Sequence, residues 1–223
     1  QKDHSLYIRP VMFSSDTVLG VRPSESYKFF ILLSPTGPYY VNPMKIAVEE
    51  NYTRAAPGGV GFSKNAGNYG GSMLAATNAK KNGFDQVLWT DSAEHKWLQE
   101  VGMMNVFFII DGKAVTPSLE EGTILEGVTR SSVMQGLKDM GITIEERKIS
   151  IDEVVEAYKK GKVTEVFGTG TAAVIAPIKE LNYHGYAMTF DTNGYKISPS
   201  VKNWLTDIRE GKIADKYGWM IKA

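Results

Sequence analysis

Strand-sized apolar runs and helical stretches follow one another along this chain in no regular order. Tyr27 to Leu33 reads as a buried strand, closed by Ser34-Pro35-Thr36-Gly37-Pro38, and Lys45 to Arg54 as another. Gln86 to Thr90 is a third. Val106–Ile110 and Lys113–Thr116 flank Asp111-Gly112, a strong hairpin signal. Ile142 to Lys148 and Val163 to Phe167 add two more, and Val174–Leu181 and Tyr186–Phe190 flank a His-Gly turn. Helices are expected at Asn68 to Lys81, ended by Asn82-Gly83, and at Val128 to Met140, capped by Gly141. A third runs from Ile151 to Lys160, entered from Ser150 with Glu153 three residues on, as in a capping box. The last spans Ser200 to Glu210. Residues 14–26 are polar and turn-rich, a loop. No strict strand–helix–strand unit repeats, so an α+β fold is predicted in preference to a doubly wound sheet.

At 223 residues the chain is long enough to bury a substantial core. Lys plus Arg and Asp plus Glu both number 25, so the net charge is zero. Nothing in that balance favours nucleic acid or a membrane surface, and a small-molecule enzyme is the expectation. No apolar run approaches membrane-spanning length. The polar start, without an initiator Met, is expected to lie inside a longer protein, with no signal peptide visible. Cysteine is absent, which removes disulfides, thiolate metal sites and cysteine nucleophiles together and fits a reducing compartment; the cytoplasm is the expected location. His4, His95 and His184 are scattered, with no ligand partner at metal spacing, and read as surface or turn residues.

Four places can carry chemistry. Lys64 lies within a stretch, 57–71, that holds six glycines, and glycine leaves room for a ligand beside the backbone. Apolar neighbours would lower the amine's pKa and suit it to Schiff-base chemistry; on spacing alone a solvated loop lysine is the simpler reading. The glycines form no Walker motif. Gly127-Val128-Thr129-Arg130 opens a helix, where free N–H groups and the positive dipole end can seat a phosphate or simply accept an ordinary cap. Gly168-Thr169-Gly170-Thr171-Ala172 is a second anion seat or only a tight turn. Glu100 precedes an apolar strand. It either faces water from a sheet edge or is half-buried and needs a partner.

Taken in order, these pieces resemble a family. Glu100-Val-Gly-Met-Met-Asn105-Val-Phe107, then Thr116, then Leu125-Glu-Gly127-Val128-Thr129-Arg130 is similar to the signature of the class IV (fold type IV) aminotransferases that use pyridoxal 5′-phosphate (PLP). Leu6-Tyr7-Ile8-Arg9-Pro10, Leu19-Gly20-Val21, Ser34-Pro35-Thr36-Gly37-Pro38-Tyr39, Lys64-Asn-Ala-Gly-Asn68-Tyr69 and Glu165 to Ala172 resemble the branched-chain members in particular. The resemblance implies a mixed-strand pseudo-barrel with surrounding helices. It implies an interdomain strand and loop over 1–26, a large PLP-binding domain over 27–223, and a small N-terminal domain missing from this chain. The implied activity is transamination between leucine, isoleucine or valine and 2-oxoglutarate.

The same resemblance implies roles. Lys64 would hold PLP as a Schiff base and move the proton between Cα and the cofactor. Glu100 would face the pyridine nitrogen and Tyr69 the phenolic oxygen. Gly127, Val128, Thr129 and Thr171 would serve the phosphate, and Leu125 would pack under the ring. Ala172 would offer its N–H to the substrate carboxylate. Tyr7, Arg9 and Tyr39 would line the side-chain pocket, and Leu19 and Val21 would enter that of a neighbouring subunit, which implies a homodimer. Two departures stand out. Met103 replaces a threonine frequent in relatives. The missing domain supplies a phosphate-binding arginine, so the chain alone is expected to bind PLP weakly and turn over little. Ala173 and Ala176 stand where some relatives carry a redox Cys pair. The competing readings are a D-amino-acid aminotransferase or aminodeoxychorismate lyase of the same fold, and a non-catalytic isolated domain.

Overall fold

The computed structural model describes residues 5–37 and 42–221. The chain forms two compact units, Gln1–Val41 and Asn42–Ala223.

The first unit is a hairpin. Strand β1 (Ser5–Ser14) pairs antiparallel with β2 (Tyr27–Thr36), in unbroken register from Ser5 opposite Thr36 to Ser14 opposite Tyr27. The intervening loop is held by Asp16, whose carboxylate accepts from the Ser26 hydroxyl, from the Glu25 and Ser26 N–H groups, and pairs with Arg22. The buried strand predicted from Tyr27 is a strand three residues longer, and it is exposed along nearly its whole length. A two-stranded ribbon has two faces and no second layer of its own, so an unbroken apolar run cannot bury either face within it. Because β2 pairs with β1, the unit boundary lies after Val41 instead of after residue 26.

The second unit holds nine strands among the described residues: β3 (Met44–Val48), β4 (Gln86–Thr90), β5 (Leu98–Val101), β6 (Met104–Ile110), β7 (Lys113–Thr116), β8 (Ile144–Glu146), β9 (Val163–Gly170), β10 (Val174–Tyr183) and β11 (Tyr186–Thr189). Six of them close on themselves. The pairing runs β10–β3–β4–β5–β6–β9 and back to β10. The β10–β3 and β3–β4 pairs are parallel and the other four antiparallel, a mixed barrel. Strand β11 extends it from β10, and β7 and β8 from β6. Closure leaves the six central strands without a free edge.

Among the described residues four α-helices accompany the barrel: α1 (Ala66–Lys81), α2 (Val128–Asp139), α3 (Ile151–Lys159) and α4 (Ile197–Arg209). Helices α2 and α4 cover a core in which Phe107 of β6 stacks on Phe167 of β9, ring centroids 5.4 Å apart, beside Val133, Leu137, Val201 and Leu205. Helix α1 sets Ala75 and Ala79 against Val87 and Trp89 of β4.

At several boundaries that differ from expectation, a side chain explains the difference. The strand expected over Lys45 to Arg54 ends at Val48 because the Glu49 carboxylate accepts the N–H groups of Glu50, Asn51 and Tyr52 and turns the chain. Helix α1 starts at Ala66 because Asn65 caps it. Helix α4 starts at Ile197, three residues before the expected Ser200. The buried Glu165 of β9 accepts N–H groups from Lys196, Ile197 and Ser198 at 2.6–2.8 Å. Ser150 caps α3 as expected, but only half of the capping box forms, since the Glu153 carboxylate turns to Arg147. The strand expected over Ile142 to Lys148 is confined to Ile144–Glu146.

Candidate active site

The site grows from the short β5–β6 hairpin. Its turn passes through Gly102 at φ +57° and the half-exposed Met103, which leaves Glu100 directly across from Asn105. Glu100 is 3% exposed. A carboxyl taken from water to that depth needs partners, and it has two. Oε2 lies 2.9 Å from Arg54 Nε, and Oε1 accepts the Leu125 N–H at 2.9 Å. Burial pushes the Glu100 carboxyl up, to about 7, against the opposing pull of Arg54, the Leu125 N–H and Lys64.

Arg54 does more than neutralise. Its side chain is 7% exposed, and it donates to Thr123 O at 2.9 Å and to Gly61 O at 3.4 Å. One guanidinium therefore ties the Glu100 strand to the loop before α2 and to the loop that carries Lys64. That second loop is pinned on both sides of the lysine. Buried Asn68 donates to Val60 O and Ser63 O, both at 2.9 Å, and Asn65 donates to the Ser63 hydroxyl. A Cβ at Gly61 would come within 2.6 Å of Thr123 O. The glycine that was expected to leave room for a ligand makes room for protein backbone instead. Lys64 itself is exposed, with Nζ 5.6 Å from the centroid of the Tyr69 ring.

Helix α2 begins at Gly127 with no side-chain cap. The first N–H groups of a helix have no partner inside it, and the dipole adds partial positive charge, so an uncapped start is a ready seat for an anion. Glycine at 127 leaves room for the Asn105 side chain, because a Cβ there would collide with Asn105 Oδ1. On the other side of Asn105 stands Thr169 of β9, buried, its hydroxyl without a partner among the described residues. Two residues beyond it the β9–β10 turn exposes Thr171 and Ala172, and the chain leaves that turn through Val174 at φ +57°, an uncommon backbone for a β-branched residue. An open groove of about 590 Å³ lies elsewhere, between α1 and strands β3 and β4, and none of Lys64, Glu100 or Val128 lines it.

A model of the family described as amino-transferase class IV matches residues 1–181. The chain belongs to the class IV aminotransferases. It is 51% identical over 223 residues to a probable branched-chain-amino-acid aminotransferase of Staphylococcus epidermidis, covering 98% of this chain and 62% of that protein. It is 48% identical over 227 residues to branched-chain-amino-acid transaminase 1 of Bacillus subtilis, covering all of this chain and 64% of that protein. The chain thus spans somewhat under two thirds of these relatives' length. Its fold is similar to the crystal structure of a T.th. branched-chain amino acid aminotransferase complexed with N-(5′-phosphopyridoxyl)-L-glutamate. That match has a TM-score of 0.82 at 25% identity, covering 97% of this chain and 68% of the other. The α+β class expected from the order of elements and the mixed barrel implied by the class IV resemblance are those observed.

Within the second unit, Glu100 and Leu125 are in direct contact, Gly127 abuts Asn105, and Lys64 lies beside Tyr69. Leu125, Gly127 and Thr129 are partly buried, and Val128 is 79% exposed. Tyr7 and Arg9 belong to the first unit, where the Arg9 guanidinium lies 5.0 Å over the Tyr7 ring, and Leu19 and Val21 at its loop are fully exposed. Tyr39 lies outside the described residues, as does His4; His95 and His184 sit in turns at φ +50° and +51°. Among the described residues no three His, Asp or Glu side chains are grouped to hold a metal ion, and no helix is long and apolar enough to cross a membrane. Arg54 and the roles of Asn68 and Asn105 escape sequence reading. The need for a partner to Glu100 is visible in the sequence, but its identity is not.

Proposed function

We propose that the complete protein is a cytoplasmic, PLP-dependent aminotransferase that moves the amino group between leucine, isoleucine or valine and 2-oxoglutarate. The observation that carries this reading is the buried Glu100, held by Arg54 and Leu125 beside the uncapped start of α2. A buried carboxylate held by an arginine and a backbone N–H suits a ring nitrogen, and an uncapped helix start suits a phosphate, so the residues present fit PLP at both ends. The relatives named as branched-chain enzymes, and the phosphopyridoxyl-glutamate held by the T.th. enzyme, support the substrate pair.

When bound, PLP supplies a conjugated ring that takes up the electron pair released at the substrate's Cα. The chain's own residues prepare that event. Lys64 Nζ would hold the cofactor and would move the proton at Cα. Glu100 holds the ring nitrogen in its protonated form, and the Tyr69 hydroxyl meets the phenolic oxygen. The N–H groups of Val128 and Thr129 at the Gly127 turn, with the Thr129 and Thr171 hydroxyls, take the phosphate. Leu125 packs against the ring. The Ala172 N–H receives the substrate carboxylate, and Tyr7, Arg9 and Tyr39 are the candidates for its side chain. Leu19 and Val21, fully exposed, serve a second copy in a homodimer.

The test is Lys64→Ala in the complete protein. The exposed position of Lys64 leaves the fold intact, so the visible cofactor band, its borohydride-stable label and leucine–2-oxoglutarate turnover are expected to vanish together. Normal multiple-turnover activity in the variant would overturn the assignment. A panel including D-alanine and aminodeoxychorismate separates the branched-chain reading from the other activities of the family.

A further inference from the structure

Two contacts of the Asn105 side chain concern spacing. Its Nδ2 donates to Leu125 O at 2.9 Å. Its Oδ1 occupies the position that a side chain on Gly127 would need. Directly across the β5–β6 ladder, Glu100 accepts the N–H of the same Leu125. One residue of the segment entering α2 is therefore gripped at its N–H by Glu100 and at its C=O by Asn105, two positions before Gly127. A single hydrogen bond leaves a segment free to swing about it. Two bonds to opposite edges of one residue, from side chains that share a ladder rung, do not. Asn105 is 6% exposed, so water does not readily substitute for its donor.

We propose that Asn105 is a positioning residue that fixes the start of α2 at a set distance from Glu100, so that one ligand engages both. This rests on the reading given above, in which Glu100 serves a ring nitrogen and the α2 start a phosphate. The consequence is specific. Two anchors held at the right spacing act on one ligand as linked sites, and loosening the spacing weakens a ligand that needs both more than it weakens either half.

The experiment uses the complete protein stripped of cofactor and three probes: PLP, pyridoxal, which lacks the phosphate, and inorganic phosphate. In Asn105→Ala the dissociation constant for PLP is expected to rise at least about tenfold, while those for pyridoxal and phosphate change by less than about twofold. Asn105→Ser, too short to reach Leu125 O, gives the same split if the alanine variant folds poorly. Gly127→Ala is expected to reproduce it by expelling the Asn105 side chain. Since the backbone at Gly127 (φ −74°, ψ 127°) is open to alanine, the double variant should be no worse than Asn105→Ala alone. A parallel loss of all three probes, an unchanged PLP affinity, or losses that multiply in the double variant would each overturn the proposal. If the unsubstituted protein binds no PLP through Lys64, the functional reading has failed instead, and the wild-type arm shows it.

Discussion

Replacing Arg54 with methionine keeps most of the side chain's volume and removes its charge and donors. The structure sets the size of the loss in two parts. The first is independent of pH: the bond to Thr123 O at 2.9 Å and the longer one to Gly61 O vanish, and a charged donor withdrawn from buried carbonyls costs about 2 kcal/mol. The second depends on Glu100. Its carboxyl is already raised from 4.5 to about 7, so the folded chain holds a proton that the unfolded chain releases. Wild-type stability therefore falls between pH 4.5 and about 7 on this account, and then levels off. Without Arg54 the carboxyl rises further, and the fall continues above pH 7 at about 1.4 kcal/mol per pH unit. The deficit of Arg54→Met is thus expected to be about 2 kcal/mol at pH 6 and about 1 kcal/mol larger at pH 8. Urea denaturation of the cofactor-free complete protein at both values, followed by tryptophan fluorescence and far-UV dichroism together, measures it. Adding Glu100→Gln should remove the pH dependence. A deficit equal at pH 6 and pH 8, or below about 1 kcal/mol at both, would refute the view that Arg54 offsets a buried, titrating Glu100.

Two further outcomes are expected. Asp91 is buried, which pushes its carboxyl up, but the N–H groups of Ala93, Glu94, Lys96 and Trp97 outweigh that and bring it down to about 2. Asp91→Ala should cost about 3 kcal/mol at neutral pH, and since this stability is lost as pH falls from 3.8 through 2, the wild-type advantage should shrink in acid titration. Glu165→Gln removes the charge facing the α4 start and should cost about 1–2 kcal/mol, with hydrogen exchange accelerated at Lys196, Ile197 and Ser198 ahead of the rest of the helix.

Elements governed by neighbouring residues were legible in the sequence, and elements governed by distant ones were not. The Asp111-Gly112 turn carries positive φ at both residues, as its dipeptide demands, and Ser150 caps α3 through Glu153 N–H. By contrast, the early start of α4 depends on Glu165, a whole strand and hairpin away. Barrel closure depends on β9 reaching both β6 and β10. Alternation along a strand says which residues share a face, and nothing about which strand lies beside it.

The candidate site divides along the same line. Gly127-Val128-Thr129 reads from the sequence as a helix start that either seats an anion or takes an ordinary cap, and the structure shows that no side chain caps it. Glu100 reads only as a condition: if buried, it requires a partner. That partner, Arg54, stands at the end of a stretch read as a strand, with no motif to single it out, and only the fold brings its guanidinium to the carboxylate, to Thr123 O and to Gly61 O at once. Among the glycines near Lys64, Gly58, Gly70 and Gly71 face open space, while Gly61 answers a packing need. Glycine signals close approach, but not of what, and at Gly61 the approaching atom belongs to the segment that leads through Leu125 into α2. Arg54, Glu100 and Asn105 all act on that one segment, at Thr123 O, Leu125 N–H and Leu125 O in turn. The entrance to α2 is thus held by three side chains, two from the β5–β6 hairpin and one from the distant segment after β3. Each is ordinary in its own neighbourhood, and their joint effect arises only once the strands have paired.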